Sequence, residues 1–168
     1  VKKTSGGVFT HFGTVENGSV SVNDTVNVSY DTVKRAAIRR NHTAAHLLQA
    51  ALREILGTHV EQAGQLVNEN AVRFDFSHFS ALSGEEITKI ENRVNEIILS
   101  ALPVTMEEMA IEDAKKKGAM ALFGEKYGDT VRVVTAGNDI PVSIEFCGGT
   151  HAENTANIGL FNTISESS

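Results

Sequence analysis

Residues 31–57 read DTVKRAAIRRNHTAAHLLQAALREILG. The run contains no proline and no glycine before its last residue, and it is dominated by Ala, Leu and Arg, which cost least in a helix. It predicts one long helix with Gly57 as its stop. Ala37, Ala44, Leu48, Ala51 and Ile55 form one apolar stripe, while Ile38, Ala45, Leu52 and Leu56 lie on another side. A helix apolar on two sides is packed from two directions, so this is the expected central helix, running against a sheet. Lys34, Arg35, Arg39 and Arg40 crowd its first turns, where the helix dipole disfavours cations, and no acidic residue intervenes between Asp31 and Glu54. An anion met there would offset that arrangement.

On the N-terminal side, residues 8–30 alternate polar and apolar in Val20, Val22, Val26 and Val28, with turn pairs at Asn17-Gly18 and Asn23-Asp24. Short strands are expected there. Few small strands bury enough to stand alone, so the segment either joins a later sheet or is the remnant of a partial small β-barrel; the remnant is the expectation. On the C-terminal side, alternation in Val72, Phe74 and Phe76 with a turn at 68–70 predicts a hairpin over 59–80. Ser83 and Glu86 have capping-box spacing ahead of the stripe Ile87, Ile90, Val94, Ile97 and Ala101, which predicts a second helix ended by Pro103. A strand at 103–109, a short helix around 111–117 leading into GAMALFGEKYG (118–128), and strands at 130–135 and 141–146 complete the order. The expected class is α+β: a long central helix and further helices on a mostly antiparallel sheet. The expected division is 1–30 for barrel or linker strands and 31–168 for the principal domain.

Of the 168 residues, 41% are hydrophobic and 21% charged, the composition of a folding globular chain and neither a disordered tail nor a rod. The formal net charge of -6 argues against gripping nucleic acid by bulk surface charge, although a local patch remains open. The one cysteine, Cys147, cannot form an intrachain disulfide. No apolar run approaches the roughly 20 residues needed to span a bilayer, and an intracellular, cytoplasmic protein is expected. The chain begins at Val1 without an initiator Met, and the expectation is an excised piece whose ends lie inside larger units.

His42 and His46 stand four apart in the predicted helix, so both imidazoles project from one face about a turn apart. Far along the chain, EFCGGTH (145–151) places Cys147 and His151 four apart at a strand end, with Gly148 and Gly149 allowing a tight backbone. Three imidazoles and a thiolate form a borderline-soft donor set that suits zinc. They meet only if the terminal strand lies beside the long helix. Position 43 is Thr and not Glu, which disfavours an HExxH protease.

RNHTAAHLL, EQAGQLV, RFDFSH and CGGTH together resemble the editing domain of alanyl-tRNA synthetases, a family related to free-standing alanyl-tRNA deacylases and to the threonyl-tRNA synthetase editing domain. The resemblance runs over nearly the whole chain and implies that His42, His46, Cys147 and His151 ligate Zn²⁺. It implies hydrolysis of Ser-tRNA(Ala) and Gly-tRNA(Ala) at the terminal adenosine. The partners would be that tRNA acceptor end and the remainder of a synthetase chain, with ligation and ATP binding left to the full-length enzyme. The family's pocket glutamine falls on Gln62, while the serine of the same motif is Gln65 here. The flanking family segments place both edges of this chain within a longer protein, of bacterial type. Gln62 and Thr43 are the expected catalytic-pocket residues, with Gly148 and Gly149 approaching the substrate. Asp75 and His78 are candidate partners of the imidazoles. Lys34, Arg35, Arg39 and Arg40 are candidate contacts for acceptor-stem phosphates. A zinc-stapled RNA-positioning module without turnover is the rival expectation.

Overall fold

Asp31 starts the long helix because its carboxylate accepts a hydrogen bond from the Lys34 amide at 2.9 Å, satisfying one of the amides a helix leaves open at its first turn. In the computed structural model, which describes residues 1–4, 6–121 and 127–167, helix α1 spans Thr32–Leu56. It stops at Gly57, whose φ of +120° and close approach to the His59 ring exclude a side chain. Helix α1 buries Leu47, Ala51 and Leu52 against Ile90, Val94 and Ile97 of the second helix, α2 (Gly84–Leu99). A reciprocal capping box opens α2: the Ser83 hydroxyl accepts from the Glu86 amide, and the Glu86 carboxylate accepts from the Ser83 amide at 2.8 Å.

Two strands precede α1 in the chain, β1 (Lys2–Lys3) and β2 (Phe9–Thr10). Between the helices lies the hairpin of β3 (Gln62–Val67) and β4 (Val72–Phe76). Asn68 shapes its turn, with Oδ1 accepting from the Asn70 and Ala71 amides, and the Asn41 side chain donates to the Asn68 carbonyl at 2.7 Å. The hairpin end is thereby tied to α1 one residue before His42.

The remaining strands, β5 (Val104–Ala110), β6 (Thr130–Ala136) and β7 (Ser143–Phe146), form an antiparallel sheet in the order β5-β6-β7. Strand alternation gives this sheet two apolar faces. Val134 and Ala136 join the core of α1 and α2, whereas Val131, Val133 and Phe146 pack with Ala114 of the short helix α3 (Ile111–Lys116). A 3-10 turn, Thr155–Ile158, follows, and its Thr155 hydroxyl donates to the Ile97 carbonyl at the end of α2. The α+β class is as the sequence indicates. Among the described residues, no helix is long and apolar enough to cross a membrane.

Contacts divide the chain into Val1–Tyr30 and Asp31–Ser168. The first unit corrects the expectation of strands through 8–30. Only β1 and β2 pair, Lys2 with Thr10 and Lys3 with Phe9, and residues 11–30 contain no strand. The turns exist, with Gly18 and Asn23 both at positive φ, and Ser21 and Asp24 bonded to each other. The alternating valines have nothing to pack against: Val22 is 92% exposed and Val28 80%. Alternation supplies a face, but a ladder needs a partner strand. Residues 122–126 of the GAMALFGEKYG stretch lie outside the described residues.

Candidate metal centre

His42 and His46 are successive turns of α1, and both are buried. The β7 strand ends at Phe146, so the CGGTH loop leaves the sheet directly beneath them. It brings His151 to ring-centroid distances of 4.3 Å from His42 and 4.6 Å from His46. Cys147 Sγ lies 3.2 Å from His151 Nε2 and 3.5 Å from His42 Nε2. One donor atom from each of the four residues falls within 4.8 Å of all the others. Zinc–nitrogen and zinc–sulfur bonds of roughly 2.0 and 2.3 Å at a tetrahedral angle imply a nitrogen–sulfur edge of about 3.5 Å. The donor chemistry and its spacing therefore fit a divalent, borderline-soft metal.

Electrostatics keeps the donors ready. Burial, and then the neighbouring imidazoles, push His46 down to about 3 and His151 to about 2. His42 is also lowered, chiefly by burial, with the nearby Arg132 guanidinium acting in the same direction. All three rings are neutral at physiological pH, the form in which a ring nitrogen can ligate.

The groups behind the rings fix which nitrogen is free. Thr43 is 1% exposed; its hydroxyl donates to the Arg39 carbonyl at 2.9 Å and accepts from the Ala152 amide at 3.0 Å. With its one proton committed, it meets His151 Nδ1 at 3.2 Å as an acceptor. That selects the Nδ1-H tautomer and leaves the Nε2 lone pair toward Cys147. Behind His46, Glu145 Oε2 lies 3.4 Å from Nδ1, without the alignment of a hydrogen bond. The Ser143 hydroxyl donates to the other oxygen of Glu145 at 2.7 Å, and burial raises this carboxyl to about 7. A carboxylate behind an imidazole is the usual outer partner of a metal-bound histidine.

Gly149 has a steric reason to be glycine. A Cβ there would stand 2.0 Å from Cε1 of His42. Gly148 faces open space instead. Arg132 of β6 donates to the Gly149 carbonyl through a short hydrogen bond and reaches the Cys147 carbonyl at 3.5 Å, so it ties down both ends of the glycine pair. A cleft of about 410 Å³ opens beside the cluster, walled by His42, Cys147, both glycines, Arg132 and Gln65 among others. Such a volume accommodates a small-molecule-sized group.

The other sequence candidates have varied surroundings. Gln65, not Gln62, lines the cleft. A bulge between Gln62 and Gly64 sets Gln62 opposite Phe76 and Gln65 opposite Phe74, so both glutamines share the face of those phenylalanines. Thr43 is packed behind His151 and does not line the cleft. Arg39 donates from Nε to the Thr150 hydroxyl at 3.1 Å, holding the CGGTH loop against α1. Lys34 pairs with Glu69 at 2.9 Å, so the hairpin turn supplies one anion to the basic helix start. Arg40 is half-buried, as is Arg35. Asp75 and His78 do not meet the imidazoles: Asp75 binds Arg73, and His78 lies 2.9 Å from His59. Sequence reasoning missed Glu145 and Arg132. Each is the lone charge in an apolar strand, SIEF and TVRVVTA, which is the signal that would have found them.

A largely buried His-His-Cys-His cluster clamped between a helix and a strand end, with a cleft at its side, makes this an α+β domain with a candidate metal centre. Residues 131–168 match the family described as "Threonyl and Alanyl tRNA synthetase second additional domain". Over nearly the whole chain, the similarity is to proteins named alanine--tRNA ligase. The chain is 57% identical over 98% of its length to "Alanine--tRNA ligase 1" of Lachnoclostridium phytofermentans, and 54% identical over 96% to "Alanine--tRNA ligase" of Fervidobacterium nodosum. It is 51% identical over 99% of its length to the protein of that name from Bacillus velezensis. The chain spans only 18–19% of the length of these relatives.

Proposed function

We propose that this domain edits mischarged tRNA, hydrolysing the aminoacyl ester of Ser-tRNA(Ala) and Gly-tRNA(Ala) in the cleft beside a zinc ion held by His42, His46, Cys147 and His151. The observation that carries the reading is the convergence of those four donors beside a cleft that two of them, His42 and Cys147, wall, in a chain alike over nearly its whole length to alanine--tRNA ligases. Bound there, zinc would supply positive charge beside the ester. His42 and Cys147 form the wall shared by cluster and cleft, which brings the acyl end of a substrate close to the metal. Gln65 and, on the same hairpin face, Gln62 offer amides to a serine hydroxyl. A site that satisfies a hydroxyl discriminates against a side chain lacking one far better than an apolar pocket does, which is the direction proofreading requires. The open backbone of Gly148 lets a ribose or ester approach closely. Thr43 orients the His151 imidazole and Glu145 stands behind that of His46, and both would act on the substrate only through those rings.

A second reading rests on the same donor count. Four protein ligands fill a tetrahedral shell, the pattern of a structural site. In that reading the domain is a zinc-stabilised platform that positions tRNA without turnover. Deacylation of Ser-tRNA(Ala) and Ala-tRNA(Ala) by zinc-loaded chain separates the two. Serine-selective release that disappears in Cys147→Ala supports editing; stoichiometric zinc with no release of either amino acid supports the platform.

A further inference from the structure

Arg132 is a cation on the cleft wall. It sits on β6, half-buried, with Val131 and Val133 in the core on either side. Among the described residues it makes no ion pair, although Glu108 is its cross-strand neighbour on β5. Lys34, Arg73, Lys89, Arg93 and Lys115 to Lys117 each pair with a carboxylate, whereas Arg132, like the half-buried Arg53, spends its Nη1 on two backbone carbonyls. Placing a guanidinium partly out of water with no counter-charge is costly unless a ligand supplies one. Arg132 lines the cleft, and among the described residues the lining contains no other Lys or Arg and no Asp or Glu.

Its hydrogen bonding leaves a face for that ligand. The protein uses one terminal nitrogen, Nη1, on the Gly149 and Cys147 carbonyls. A guanidinium carries five N-H donors in a fixed fork. The Nε-Nη2 edge is thus left with the parallel pair of donors that grips a phosphate through two oxygens. A serine or glycine ester carries no negative charge near its acyl group, so an anion in this cleft must come from the nucleic-acid side of the substrate.

We infer that Arg132 binds the phosphodiester that joins the terminal adenosine to the nucleotide before it, and so sets how far the ester enters the cleft. This rests on the editing reading for the identity of the substrate. Because the same guanidinium holds the CGG carbonyls, substrate seating and the ligand-bearing loop share one anchor. Arg132 binds and positions; it takes no part in bond making or breaking.

The test uses two non-hydrolysable probes, a 3′-serylamido adenosine and the same compound carrying a 5′-linked cytidine, which adds one phosphodiester. Both are titrated onto the zinc-loaded chain, its Arg132→Gln and Arg132→Lys variants, and in parallel the chain is assayed for Ser-tRNA(Ala) release. The wild-type chain is expected to bind the dinucleotide about 10-fold or more tightly than the nucleoside, the gain of one charge-assisted pair. That ratio should fall to near one in Arg132→Gln, recover in part in Arg132→Lys, and vanish on the wild-type chain when the linkage is a neutral methylphosphonate. The salt slope for the dinucleotide should flatten by about 0.7 in Arg132→Gln, as for one lost single-strand phosphate contact. Equal weakening of both probes in Arg132→Gln, with the ratio kept, makes Arg132 a loop brace alone and overturns the inference. So does a wild-type ratio near one, or no binding of either probe. A phosphate-dependent gain without Ser-tRNA(Ala) release leaves Arg132 as a phosphate seat and defeats the editing reading; release without the gain does the reverse.

Discussion

Thr43 has one proton and two neighbours that fix where it goes, and this makes His151 the best-oriented of the three imidazoles. Replacing Thr43 by Val removes the acceptor for His151 Nδ1-H, and loss of such an outer partner typically lowers metal affinity by about 10- to 100-fold. Thr43→Ser should keep most of it, and competition against a chromogenic chelator reads both. Gly149→Ala is expected to do more damage than Gly148→Ala, because only the former drives a methyl into His42; equal zinc content in the two variants would contradict this geometry. The same residues set a pH dependence in the metal-free chain. His46 and His151 have folded values of about 3 and about 2 against an ordinary 6.5, and His42 is lowered as well. Protonation then favours the unfolded chain, so the stability due to neutral rings is present above about pH 6.5 and is lost as pH falls toward 3. Glu145, raised to about 7, acts oppositely: its contribution is present at low pH and is lost as pH rises through 7. Three rings outweigh one carboxyl. The chelator-stripped chain should melt at a lower temperature at pH 5 than at pH 6.5, and an unchanged Tm over that range would refute the burial argument.

At the level of elements, both helices advertise themselves because their start signals are local. Ser83 and Glu86 satisfy each other across one turn of α2 whatever the rest of the chain does. Ser83→Ala should therefore cost about 1 kcal/mol in urea denaturation. Leu47→Ala, deep in the contact between α1 and α2, should cost about 2–5 kcal/mol. Elements that depend on distant partners are harder to read. The valines at 20–28 alternate as strand residues do, yet nothing packs on them in Val1–Tyr30, and they stay exposed. The four clustered residues, His42, His46, Cys147 and His151, were legible because each pair is four apart. Glu145 and Arg132 show in the sequence only as lone charges in apolar strands, because their roles arise where β7 packs on α1 and where Arg132 reaches the loop that follows β7. The assignment of Asp75 and His78 failed for the same reason: sequence shows which residues are polar, and not which face of a bulged hairpin they occupy.

For the whole molecule, charge limits what this chain does unaided. Its net charge is -6, and most described cations are already spent on carboxylates or on the loop. One phosphate seat at Arg132 and a half-buried patch at Arg35 and Arg40 give little surface for reading an RNA by counterion release. Deacylation by the 168-residue chain should accordingly have a greatly raised KM with a better-preserved kcat, so that turnover is visible mainly at high enzyme concentration. A kcat/KM equal to that of a full-length relative would contradict this partition. The proposed function requires the His42-His46-Cys147-His151 cluster to make the cleft a deacylase. Its most direct test is single-turnover hydrolysis of Ser-tRNA(Ala) and Ala-tRNA(Ala) at saturating enzyme, with the chain zinc-loaded, chelator-stripped and zinc-restored. Rapid release of serine but not alanine, lost on stripping and regained on restoration, is the predicted result. Serine release indifferent to zinc, or a zinc-replete chain that leaves both esters intact, would contradict it.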